Sequence, residues 1–510
     1  MTPSRPTVSP AARALLERSA EIHDLQNAAA LLSWDRQTMM PPGGHAGRGR
    51  QLATLAAIVH ERWTDPGFAD AVEALAAEAP PPGSDEAALV RLSRRALRQA
   101  TAVPVDLVKA LALATSEAQR VWVDARERAD AAAFAGPLAE VIRLRREEAD
   151  ALGWTEHRYD ALHDTYEPGS SKARLDAVFG PLRQRLAALI ERVRDHASDV
   201  DDGPLRVPLA PAAQEAFVRQ VAADLGYDFG RGRLDPTVHP FCQAVGPGDV
   251  RITTRYAERF LPTALFGTMH EAGHALYEQG FREEDLGTPL GTFASLGVHE
   301  SQSRLWENHV GRGLPFWEGR YAALRAAFPG AFDDVPLERF VRAVNRVAPS
   351  FIRVEADEVT YPLHVILRYE LEVALLDGDL AAADLSGAWN EGMRDLLGVT
   401  PPDDAQGCLQ DVHWSMGAFG YFPTYALGSM MSAQLWEAIR RDRPDLDDEV
   451  REGRFAPLLA WLREHVHAPG ARYEPDDLLR RATGAPLEAD AYLRHLTAKV
   501  DALIDAPADA

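Results

Sequence analysis

Residues 266–280, FGTMHEAGHALYEQG, set two histidines four positions apart with a glutamate directly after the first. Residues four apart share a helix face, so His270 and His274 can reach one ion together. Glu271 lies about 100° round the helix from His270, placed to act on a water without binding the ion itself. The chemistry of such a trio is metal-assisted hydrolysis, with two imidazole ligands and a carboxylate as general base. The competing reading is two hydrogen-bonded histidines at the edge of a core and one surface glutamate. A catalytic zinc takes three protein ligands and keeps a position open, so a third ligand decides between them.

Downstream, residues 291–311 read GTFASLGVHESQSRLWENHVG, a second helix ending at Gly311. Glu300 follows His274 by 26 residues, room for a turn and a return helix, and is the expected third ligand. Glu307 is the alternative, and His299 is a ligand, an outer partner of a ligand, or neither. Zinc in a His₂Glu set would leave a charge of about +1, enough to acidify bound water toward neutrality. The same donors accommodate cobalt or manganese.

These residues need elements to hold them. Pro262 and Thr263 read as a helix start and Gly280 as a stop, which places both histidines on one helix. Thr268, Met269, Ala272, Gly273, Ala275 and Leu276 around them are small or apolar, as in a helix buried beneath a cleft. Residues 235–257 depart from helical periodicity. Pro and Gly punctuate them, and Val250, Ile252 and Thr254 alternate as a short strand or hairpin. Most of the remaining chain has helical periodicity, broken at MMPPGG and APPPGS. Phe217, Val221 and Leu225 share a helix face, with Gly226 suited to a left-handed cap. The expected fold is mainly α and zincin-like, with one small sheet beside the HExxH helix to line up an extended substrate. No fixed-period repeat or Gly/Ser-rich linker appears, so a single domain over 1–510 is expected.

Composition narrows the setting. The chain has 510 residues, 46% hydrophobic and 25% charged, ordinary values for a globular protein with a sizeable core. Its formal charge of −22 repels phosphate backbones and argues against nucleic acid as a partner. Two cysteines, Cys242 and Cys408, fit a reducing interior better than a disulfide scaffold. The N-terminus lacks an apolar signal core, and no apolar run is long enough to span a bilayer. A cytoplasmic, soluble protein is expected.

Six segments together carry a family resemblance: HPF at 239–241, DVRIT at 249–253, HEAGH at 270–274, HESQ at 299–302, IRVEAD at 352–357 and GCLQDVHW at 407–414. In this order they resemble the carboxypeptidase Taq family of metallocarboxypeptidases, and LLSWDRQTMMPPGG and GYFPTYALGS extend the likeness over nearly the whole chain. The resemblance implies a helical fold with a deep groove, a homodimer, and removal of single residues from peptide C-termini. It also implies an N-terminal helical part, about 1–230, covering the groove, and a catalytic part over 231–510. His270, His274 and Glu300 carry over as zinc ligands and Glu271 as the general base.

Peptide hydrolysis also needs a donor for the developing oxyanion and a clamp for the terminal carboxylate. His413, Tyr421 and Tyr425, in a Gly-punctuated segment, are the candidate donors. Arg353 and Arg251 are the candidate clamps, and His239 is expected to line the groove. Asp357 or Asp411 could orient the ligand imidazoles. Residues 356–376 read as one long helix kinked near Pro362. Two rivals share parts of this pattern: an oligoendopeptidase, with the same metal chemistry, and a non-catalytic metal-binding scaffold.

Overall fold

The computed structural model describes residues 9–196 and 200–505. The chain forms two compact units, each assembled from three separate stretches. The first comprises Met1–Thr101, Asp202–Val344 and Gln434–Leu487; the second comprises Ala102–Asp201, Asn345–Ala433 and Glu488–Ala510. Helices dominate, and no helix among the described residues is long and apolar enough to cross a membrane.

The described strands lie in the first unit. β1 (Leu234–Pro236) runs parallel to β3 (Asp249–Thr254), and β2 (Cys242–Gly246) runs antiparallel to β3 on its other side. The alternation expected at Val250, Ile252 and Thr254 is therefore the central strand of a three-stranded sheet, and all three side chains are buried. The HExxH helix, Leu261–Glu278, packs on this strand. Thr268 donates its hydroxyl to Thr254 Oγ1 at 3.0 Å, and Thr254 donates to the Ala264 carbonyl at 3.3 Å. Leu261, Leu265, Phe266, Met269 and Leu276 are buried around that contact.

The return helix, Leu296–Arg304, is capped by Ser295, whose hydroxyl accepts from the Val298 N–H at 3.0 Å. It continues as a π turn over Leu305–Val310 and stops before Gly311, where the sequence places its end. Gly273 sets its distance from the HExxH helix: a Cβ there would lie 2.6 Å from both the Gln302 carbonyl oxygen and Ser303 Cα. The two backbones can touch only because that side chain is absent.

In the second unit the helix Tyr361–Asp377 is buried along most of its length. Pro362 stands in its first turn, where a missing N–H costs nothing. The expected kink is thus a helix start. The helix Pro211–Leu225 ends as read, with Gly226 at φ +106°.

Candidate active site

At the junction of the HExxH and return helices, three donor atoms converge. His270 Nε2 lies 3.6 Å and His274 Nε2 3.4 Å from the same oxygen, Glu300 Oε2. The other imidazole nitrogens are engaged elsewhere: His270 Nδ1 with Glu307 Oε2 at 2.9 Å, and His274 Nδ1 with the His299 carbonyl at 3.0 Å. Acceptors on that side fix the proton at Nδ1 and leave the Nε2 lone pairs aimed at the shared point. Two imidazoles and a carboxylate within 4.8 Å of one another form a donor set that fits a divalent transition metal. Glu307 therefore contacts the far side of the His270 ring and stands outside the convergent trio. His299 stands outside it too, its Nε2 lying 3.0 Å from Glu278 Oε1.

The site's carboxyl groups are set apart by their surroundings. Glu271 is buried, and burial, reinforced by Glu300 and Glu307 and opposed by His270, pushes its pKa up to about 7. Burial acts on Glu307 in the same sense, but Arg304, His270 and Arg312 bring it down to about 2. Glu300 meets the same burial and is held well below the usual carboxylate range by Arg304 and the two histidines. One carboxyl is thus poised to exchange a proton near neutrality while two stay ionised.

Elsewhere in this unit, Arg251 forms a forked pair with Asp249 at 2.9 and 2.7 Å, and its guanidinium lies 4.4 Å from the Trp34 ring. His239 is exposed just ahead of β2.

In the second unit, Asp411 joins two buried arginines. Arg353 donates to it from Nε at 3.2 Å and Nη2 at 2.8 Å, and Arg368 from Nε at 2.7 Å. Arg353 Nη1 also donates to the Tyr361 hydroxyl at 3.1 Å. His413 Nε2 lies 3.2 Å from the Tyr425 hydroxyl, and its ring is 5.3 Å from that of Tyr421. Burial, opposed by Asp411 and aided by both arginines, lowers His413 to about 4, so the ring is neutral at pH 7. Asp357 spends its oxygens on the N–H groups of Ala348, Val359 and Thr360 and on the Thr360 hydroxyl. The Nδ1 atoms of His270 and His274 meet Glu307 and the His299 carbonyl, not either aspartate.

Sequence reasoning overlooked Arg304, Arg312 and Glu372. Arg304 had a signal, because Glu300, Arg304 and Glu307 fall at i, i+4 and i+7 on one helix face. Glu372 had none. It is fully buried and accepts from the Tyr159 hydroxyl, Trp414 Nε1 and the Gly420 N–H, each near 3 Å.

A helical body with an HExxH helix, a glutamate on the returning helix and a buried carboxyl beside them defines a metallopeptidase. Comparison with known proteins narrows this class. Residues 14–500 match the carboxypeptidase Taq (M32) metallopeptidase family. Thermostable carboxypeptidase 1 of Thermus thermophilus is 45% identical over 502 residues, 96% of this chain and 98% of the relative. Carboxypeptidase 1 of Bacillus subtilis is 38% identical, covering 94% and 95%. The crystal structure of an M32 carboxypeptidase from Deinococcus radiodurans R1 superposes with a TM-score of 0.94 at 39% identity, covering 98% of this chain and 100% of that one. The chain belongs to the carboxypeptidase Taq (M32) family and is a metallocarboxypeptidase.

Proposed function

We propose that the chain is a zinc-dependent carboxypeptidase that releases single residues from the free C-termini of peptides with broad specificity. The observation that carries this reading is the convergence of His270 Nε2, His274 Nε2 and Glu300 Oε2 beside the buried Glu271. When bound there, zinc supplies Lewis acidity to the reacting groups. Glu271 takes the proton of the attacking water and returns it to the leaving amine, a task suited to a carboxyl titrating near 7. His413, Tyr421 and Tyr425 are the donors for the oxyanion, and the neutral ring of His413 has one N–H to give.

Arg353 is the stronger candidate for the terminal carboxylate. Asp411 and Tyr361 engage three of its donors and hold the guanidinium in one orientation, leaving further N–H groups for a ligand. Arg251 has a weaker claim because Asp249 occupies its fork. His239 is the remaining substrate-binding candidate, as a residue lining the groove. The setting we infer is the cytoplasm, as a homodimer acting on peptides, with neither nucleic acid nor membrane as a partner.

Metal analysis of the purified protein, paired with free-ended and C-terminally amidated versions of one peptide, tests this reading. Stoichiometric zinc and cleavage of the free-ended peptide alone are expected. Equal cleavage of both would point to an oligoendopeptidase, and absence of metal and activity to a scaffold.

A further inference from the structure

One guanidinium touches both ionised carboxylates of the metal site. Arg304 donates from Nε to Glu300 Oε1 at 2.6 Å and from Nη1 to Glu307 Oε2 at 3.3 Å. The two oxygens of Glu300 are thereby divided. Oε1 belongs to Arg304, whereas Oε2 faces both Nε2 atoms and accepts from the Ser303 hydroxyl at 3.0 Å. Glu307 is held at both ends too: Oε2 meets His270 Nδ1 at 2.9 Å, and Oε1 accepts from Arg312 Nη2 at 3.2 Å. Arg312 is itself fixed by Asn308 Oδ1 at 3.2 Å and the Val344 carbonyl at 3.0 Å. Glu307 projects from the π turn that ends the return helix.

We propose that Arg304 is the positioning residue of the metal centre. By occupying Glu300 Oε1 it restricts that ligand to a single coordinating oxygen, and by gripping Glu307 it fixes the plane of the His270 imidazole. The inference rests on reading His270, His274 and Glu300 as the metal ligands. A charge-assisted hydrogen bond on one carboxylate oxygen competes with coordination by that oxygen. The planar fork of arginine serves two acceptors in fixed directions, which the point charge of a lysine does not. The bland alternative is that Arg304 merely neutralises two buried carboxylates. In that case lysine would serve as well.

The test uses the full-length protein with Arg304→Lys, Arg304→Met and Glu307→Gln. Zinc affinity is measured by chelator competition, the visible spectrum is recorded after cobalt substitution, and far-UV circular dichroism with melting of the metal-free forms checks folding. Both Arg304 variants should bind zinc about 10- to 100-fold more weakly. Their cobalt bands should weaken and shift as Glu300 brings in its second oxygen. Glu307→Gln should lose affinity in the same range with a smaller spectral change. If Arg304→Met fails to fold, the lysine variant decides. A folded Arg304→Lys with wild-type zinc affinity or a wild-type cobalt spectrum overturns the proposal. A wild type that binds no divalent metal overturns the ligand reading, and the proposal with it.

Discussion

Glu271 and Glu307 are the same side chain, both buried in the neighbourhood of His270, yet one titrates near 7 and the other near 2. Burial is common to both; Glu307 differs in its direct contacts, with Arg304, His270 Nδ1 and Arg312 all on its carboxylate. Glu271→Gln should keep the zinc content and the fold while lowering kcat about 10²- to 10⁴-fold, the usual contribution of a positioned base, measurable by steady-state kinetics beside elemental analysis. Arg353→Lys should raise KM for free-ended peptides by about tenfold or more, because lysine loses the forked geometry. The shared placement of His270 and His274 was legible in the sequence because helix periodicity alone puts 270 and 274 on one face. The partners of Arg251 and Arg353 were less so. Asp249 lies two residues before Arg251 on a strand, hence on the same face, a rule that could have been applied. Asp411 lies 58 residues from Arg353, and only tertiary folding joins them.

Element packing sets how closely these groups approach. Gly273→Ala would drive a methyl group into the return helix and should cost about 1–3 kcal/mol of stability while weakening zinc binding, read from melting and chelator competition. The segment carrying His413 and Tyr421 is pinned at Gly420. That residue sits at φ +87°, donates its N–H to Glu372 and accepts from His163 Nδ1 at 2.8 Å, and a Cβ there would lie 2.7 Å from the His163 backbone nitrogen. Burial lowers His163 to about 4, so the folded state keeps it neutral. Between about 4 and 6.5 the unfolded chain takes up a proton that the folded chain refuses, so stability should fall as pH drops through that window, by up to about 3 kcal/mol from this ring. His163→Gln should flatten the pH dependence of Tm over that range. None of this was legible in the sequence: Gly420 reads as one more loop glycine until His163, 257 residues away, is found beside it. The central strand and the helix stops at Gly226 and Gly311 could be read because turn chemistry is local. Pro362 reads as a kink because periodic sequence on both sides of the proline hides the helix start it provides.

At the scale of the whole molecule, a charge of −22 should favour basic peptides. At low ionic strength kcat/KM for a cationic peptide should exceed that for its neutral counterpart, and the gap should close as salt approaches physiological strength, where charges are screened beyond about 8 Å. Composition made that expectation available, whereas periodicity gave no hint that the units interleave. The first unit takes its last stretch from Gln434–Leu487 and the second takes Glu488–Ala510. Neither can finish on a ribosome that has made only the first four hundred or so residues. HExxH and Glu300 emerge at 270–300 and must wait for most of the remaining chain before their unit is whole. Assembly of this enzyme is therefore a late event in synthesis, and a nascent chain stalled before Gln434 should be open to protease throughout, with no half-sized folded fragment to survive.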